Sequence, residues 1–78
     1  MDLLNKYCFY VCPHVFTIEV VYIEFYIEDD ECYIEKSGGY LKKENCFVSL
    51  VFAKEFARIL LDKFYQKKLK EIRGVNND

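Results

Sequence analysis

VFTIEVVYIEFYIE, residues 15–28, is the stretch on which the fold turns. It is dense in Val, Ile, Phe and Tyr, the residues that suit a pleated, half-buried surface. Its alternation changes phase. Phe16, Ile18 and Val20 are apolar around polar Thr17 and Glu19, and then Val21, Ile23, Phe25 and Ile27 are apolar around Glu24 and Glu28. Side chains in a strand alternate with a period of two, so both sets cannot share one face of a regular strand. The economical expectation is a β-bulge near Val20-Val21, which adds one residue and restores the register. A sheet buried on both faces at that point is the alternative.

Working outward, residues 7–12 read as a strand stopped by Pro13, and 15–28 as the long second strand. Glu28-Asp29-Asp30-Glu31 turns the chain into a third strand over 31–36. Ser37-Gly38-Gly39 makes the next turn, because glycine supplies the positive φ that tight hairpins need. Short strands follow over 40–42 and 46–51. From Phe52 the period lengthens: Phe52, Phe56, Leu60 and Phe64 recur every four residues, and Ile59, Leu61, Tyr65, Leu69 and Ile72 widen the stripe. That pattern predicts an amphipathic helix over 52–73, ended by Gly74, with 74–78 as a frayed tail. The expected architecture is α+β: a four- to five-stranded antiparallel meander with one C-terminal helix packed on one face, in a single domain over 1–73.

A chain of 78 residues leaves room for one small core. Seven Phe and seven Tyr supply it, with a surplus expected at an interface. Charge is lopsided. Residues 1–35 hold eight acids against Lys6, whereas residues 36–78 hold ten bases against five acids. Such asymmetry marks either a partner-binding face or an internal attraction between the two halves. The opening MDLLNK lacks a basic start, and no apolar run approaches the ~20 residues of a membrane span. The expected location is therefore the cytoplasm, the host cytoplasm if the protein is viral, with reduced thiols.

Cys8, Cys12 and His14 suggest half of a zinc site, since thiolate and imidazole are the natural ligands. Strand geometry opposes this. Four residues span roughly 13 Å in a strand, and Cys8-Phe-Tyr-Val-Cys12 contains no turn residue to fold them together. Cys8, Cys12, Cys32 and Cys46 read instead as small apolar filler, and a zinc-stabilised domain stays as an alternative. No cofactor is expected, and no nucleophile, base and orienting group assemble into a catalytic set. The acidic turn Glu28–Glu31 (Glu28, Asp29, Asp30, Glu31), with Glu24, Tyr22 and Tyr26, is the expected partner-binding region, suited to a protein with a basic surface. Lys42, Lys43, Lys63, Lys67, Lys70 and Arg73 form the alternative, a nucleic-acid contact, although a sequence pI near 5.4 is far from that of basic modules.

The stretch CYIEKSGGYLKKENCFVSLVFAKEF, residues 32–56, resembles small uncharacterised phage and mobile-element proteins of low-GC bacteria. The likeness lies in a strand at Tyr33-Ile34, a Gly38-Gly39-Tyr40 hairpin, a strand at Phe47-Val48 and an Ala53-Lys54-Glu55-Phe56 step before a helix. It implies a phage accessory protein, a class rich in inhibitors of host enzymes such as CRISPR nucleases. The sequence thus leads to a non-enzymatic protein–protein interaction module, with homodimerisation expected through an edge strand or the spare aromatic face.

Overall fold

Residues 3–76 are described by the computed structural model, with side chains as far as Ile72. Strands β1 (Lys6–Val11), β2 (Ile18–Ile27), β3 (Cys32–Glu35) and β4 (Tyr40–Lys42) pair in succession, each antiparallel to the last. A single 3₁₀ turn, Lys43–Asn45, leads to β5 (Cys46–Phe47), and the chain ends in the helix α1 (Leu50–Asn76). The fold is α+β, with five antiparallel strands in one sheet and one C-terminal helix. The strand order is β4-β3-β2-β1-β5, so the meander holds for four strands and the fifth crosses to the opposite edge.

That crossing forces the sheet to curl. Strands lie about 4.8 Å apart, so the edges of a flat five-stranded sheet would stand about 19 Å apart. The four steps from Lys42 to Cys46 reach about 14 Å when fully extended. Here the intervening residues are wound into a 3₁₀ turn, which rises only about 2 Å per residue. The Cys46 thiol ends 3.6 Å from the Lys42 carbonyl oxygen, with the two edge strands brought together. The sheet is a partly closed barrel.

Curling creates a concave and a convex face, and each carries its own core. Leu3, Cys8, Val21, Ile23, Tyr33 and Leu41 fill the concave side, with Leu4, Tyr10, Tyr26 and Cys46 packed against them. Val11 lies at an odd position of β1 and faces the other way. It is fully buried, as is Ala53 on the helix. Helix α1 lies against β1, β5 and β2 on this convex side. Phe47 meets Phe56 at a ring separation of 5.1 Å, and Phe16 meets Phe64 at 5.5 Å. Phe16 has φ +63°, a left-handed conformation that costs an L residue roughly 1–2 kcal/mol. Backbone bonds from Phe16 N–H to Cys12 O (2.8 Å) and from Cys12 N–H to Thr17 O (2.9 Å) hold the loop in place.

The phase change in β2 has two causes, and neither is a bulge at Val20-Val21. Pairing with β1 runs unbroken from Ile18 to Ile23, which places Val20 outward and Val21 inward. Ile18 and Phe16 are apolar because the helix covers that end of the convex face. Glu19 on the opposite face there is exposed, so the sheet is not buried on both sides at that point. The register shift comes later, between Ile23 and Phe25, with Glu24 as the extra residue.

The helix also begins earlier than its apolar period implies. Val51 N–H donates to Ser49 Oγ at 3.2 Å, and Ala53 N–H donates to Ser49 O at 3.1 Å. Ser49 thus caps the helix and shortens the last strand to two residues. Replacing Ser49 with Ala is expected to lower stability by about 1 kcal/mol, read as a fall in the urea midpoint at constant slope. At the other end the helix passes through Gly74 to Asn76, since a glycine costs a helix interior only about 1 kcal/mol. Of the tail read from the sequence, residues 77 and 78 lie outside the described residues.

Twenty-seven helical residues span about 40 Å, and the molecule measures 53 Å along its longest axis against 26 and 20 Å across. Beyond Phe64, which packs on Phe16, α1 therefore projects from the sheet. Arg58 pairs with Glu55, and Lys68 with Glu71, along its surface. Among the described residues no helix is long and apolar enough to cross a membrane.

Candidate interaction surface

The bulge at Glu24 decides which aromatics reach solvent. Up to Ile23 the odd residues of β2 point inward, whereas beyond Glu24 the even ones do. Tyr26 therefore turns into the barrel opposite Tyr33, with ring centroids 5.1 Å apart, and Phe25 turns out. The register carries this across the sheet: Phe25 is opposite Ile34, and Ile34 is opposite Tyr40. Phe25 is 60% exposed and Tyr40 69%. The next row on the same face is Ile27, Cys32 and Lys42. Tyr22 and Tyr7 extend the surface along β2 and β1, edge to face at 5.0 Å. The helix covers the other end of this convex face and leaves the aromatic end open.

The acidic turn adjoins the patch. Residues Glu28–Glu31 connect β2 to β3 immediately beyond the Ile27–Cys32 pair, and all four are exposed. Glu31 adopts φ +49° in this turn, and its carbonyl accepts from Lys43 N–H at 2.9 Å. On that side a shallow groove of about 490 Å³ is lined by Asp30, Glu31, Lys42, Lys43 and Glu44. The two lysines offset part of the turn's charge there.

Of the residues expected to bind a partner, the structure brings together Tyr22 and the acids of the turn on or beside the convex face. Glu24 sits half-buried at the bulge. Tyr26 does not share a face with Tyr22: it packs inside, with the Lys43 ammonium 5.6 Å over its ring. Phe25, Ile34, Tyr40 and Tyr7 join the surface in its place. Their signal in the sequence is the apolar alternation of Phe25 and Ile27 after Glu24, which reads correctly once the extra residue is placed there.

The basic residues fall into two groups. Lys42 and Lys43 lie at the barrel edge, while Lys63, Lys67 and Lys70, spaced four and three apart, share one face of the projecting helix and are exposed. The side chain of Arg73 lies outside the described ones.

The suggested metal triad is dispersed. Cys8 is buried in the concave core, Cys12 follows the end of β1, and His14 lies in the turn beyond. Among the described residues no group of three or more His, Cys, Asp or Glu side chains is placed to hold a metal ion. Two thiols do meet. Cys8 and Cys46 share a side-chain hydrogen bond, which favours the Cys8 thiolate against the opposing effect of burial. The same bond, reinforced by burial, pushes the Cys46 thiol up from its ordinary value. Cys46 also lines a small, largely apolar groove of about 240 Å³ with Leu3, Tyr33, Lys43, Phe47, Val48 and Phe52.

No protein-family model, curated protein or solved structure matches this chain.

Proposed function

We propose that the protein is a non-enzymatic interaction module whose binding surface is the open convex face, centred on Phe25, Ile34 and Tyr40 and bordered by the Glu28–Glu31 turn. The observation that carries this reading is the uncovered aromatic row across β2, β3 and β4. An apolar centre with a charged rim is the ordinary anatomy of a protein interface, and buried aromatics dominate its energy. The partner presents a basic rim around an apolar contact, since the acidic turn would steer such a surface and repel an acidic one. In its most specific form the module is a phage-encoded inhibitor of a host nucleic-acid-processing enzyme, such as a CRISPR nuclease, as the resemblance of residues 32–56 implies. Affinity capture at low salt, followed by mass spectrometry, is expected to recover a basic protein, and Phe25→Ser with Tyr40→Ser is expected to lose it. Capture undiminished by that double change removes the reading. A homodimer through the same face would compete with the partner and would show as a concentration-dependent sedimentation coefficient.

A second reading rests on the Lys63–Lys67–Lys70 face of the projecting helix, which suits a phosphate backbone. Binding of that kind weakens steeply as salt rises. Charge reversal at the three lysines would flatten the slope by about 0.9 for each phosphate of duplex DNA that is no longer neutralised. Affinity for DNA or RNA that does not change across a salt titration would dismiss it.

A further inference from the structure

The four cysteines are free thiols, and two of them stand apart by position. Strands β1 and β5 pair with Tyr10 opposite Cys46 and Phe9 opposite Phe47. Cys8 lies two residues from Tyr10 and therefore on the same face, which makes Cys8 and Cys46 diagonal neighbours. Both point into the concave core. Diagonal neighbours in a flat sheet have Cα atoms about 7–8 Å apart, and a relaxed disulfide spans up to roughly 6.8 Å. Curling draws side chains on the concave face toward one another and narrows the gap between this pair, both of which pack in the same cluster. The two differ in access. Cys8 is 1% exposed, whereas Cys46 is half-buried and opens onto the groove beside Phe47, Val48 and Phe52.

We propose that Cys8 and Cys46 form a reversible disulfide by exchange with a small-molecule disulfide of the glutathione class. Cys46, the thiol that the reagent reaches through the groove, loses its proton to solvent and attacks one sulfur of the oxidant. Its raised pKa keeps the thiolate scarce and this step slow, so access and not acidity selects it. A mixed disulfide forms on Cys46 and one thiol leaves. Cys8 then attacks the Cys46 sulfur and expels the second thiol. Two protein thiols are oxidised to one disulfide, and one small-molecule disulfide is reduced to two thiols, with both protons carried away on the products. The buried partner acts only as the resolving group because the reagent cannot reach it first. The product joins the first strand to the last and fixes the segment from which the helix departs.

The test uses the full reduced chain, incubated with glutathione disulfide, alkylated and weighed. The expected product has lost two hydrogen atoms and carries no glutathione. Its alkylatable thiols fall from four to two, and proteolytic mapping links Cys8 with Cys46. Dithiothreitol restores the starting mass. Cys46→Ser is expected to abolish the product, while Cys12→Ser and Cys32→Ser leave it intact. In Cys8→Ser, glutathione is expected to remain on Cys46. If that buried substitution does not fold, the half-buried Cys46→Ser and the peptide map carry the test. Persistent glutathione on Cys46 of the unaltered chain, a link through Cys12 or Cys32, or a covalent dimer would overturn the proposal.

Discussion

Ile23→Ala is expected to lower the melting temperature by roughly 8–40 °C. Ile23 is fully buried, at the last inward position of β2 before the bulge. It lies where the curled sheet closes over its own interior, among Cys8, Val21, Tyr33 and Leu41. Truncating a buried isoleucine to alanine costs about 2–5 kcal/mol through forfeited transfer energy and the cavity left behind. A domain of this size has a total stability of roughly 4–12 kcal/mol, and each kcal/mol moves its melting point by about 4–8 °C. Val20 is the control. It lies three positions earlier on the same strand, faces outward and is 64% exposed, so Val20→Ala should stay within about 0.5 kcal/mol of the parent. Equal effects at the two positions would mean that β2 does not divide an interior from a solvent face as described.

Phe25→Ser combined with Tyr40→Ser is expected to reduce partner affinity by roughly 100- to 1,000-fold while leaving the fold in place. Central aromatic anchors cost about 2 kcal/mol or more each when removed from an interface, and 1.4 kcal/mol is a factor of ten. Neither ring is needed for the concave core, so the unfolding midpoint should shift only by the small loss of strand propensity, under about 1 kcal/mol per site. Reversing charge at Glu28, Asp29, Asp30 and Glu31 should behave differently. It should slow association chiefly at low salt and leave the dissociation rate nearly unchanged. Surface plasmon resonance against the captured partner separates the two. If the double serine variant and the charge-reversed variant both act only on the association rate, the aromatic row is not the buried centre of the interface.

Several features are legible in the sequence because they are local. Alternation around Glu19, Glu24 and Glu28 marks β2, Gly38 with φ +96° makes the turn that Ser37-Gly38-Gly39 implies, and the four-residue spacing of Phe56, Leu60 and Phe64 marks the helix. Other features depend on what lies across the sheet, and hydrophobic pattern does not report that. The pattern misplaces the bulge because Ile18 and Phe16 are apolar for the helix on the convex side, which mimics a change of phase. Ser49 does not stand out as a cap because Val48, Leu50 and Val51 around it read as strand. The aromatic site is only half legible for the same reason: with the extra residue assigned to the wrong position, Tyr26 takes the outward place that belongs to Phe25. Nothing local distinguishes Cys46 from Cys32, and only the crossing to the far edge sets one of them beside Cys8.

That crossing also dictates an order of events during synthesis. Strand β1 acquires its second neighbour only when residues 46 and 47 exist, so four aromatic-rich strands must wait, unsealed along one border, until β5 has been made. Pairings between distant parts of a chain form slowly, and an unsealed border of this kind invites association with other chains. The brevity of the connection between Lys42 and Cys46 shortens that interval, because a three-residue turn leaves the last strand little conformational space to search before it docks.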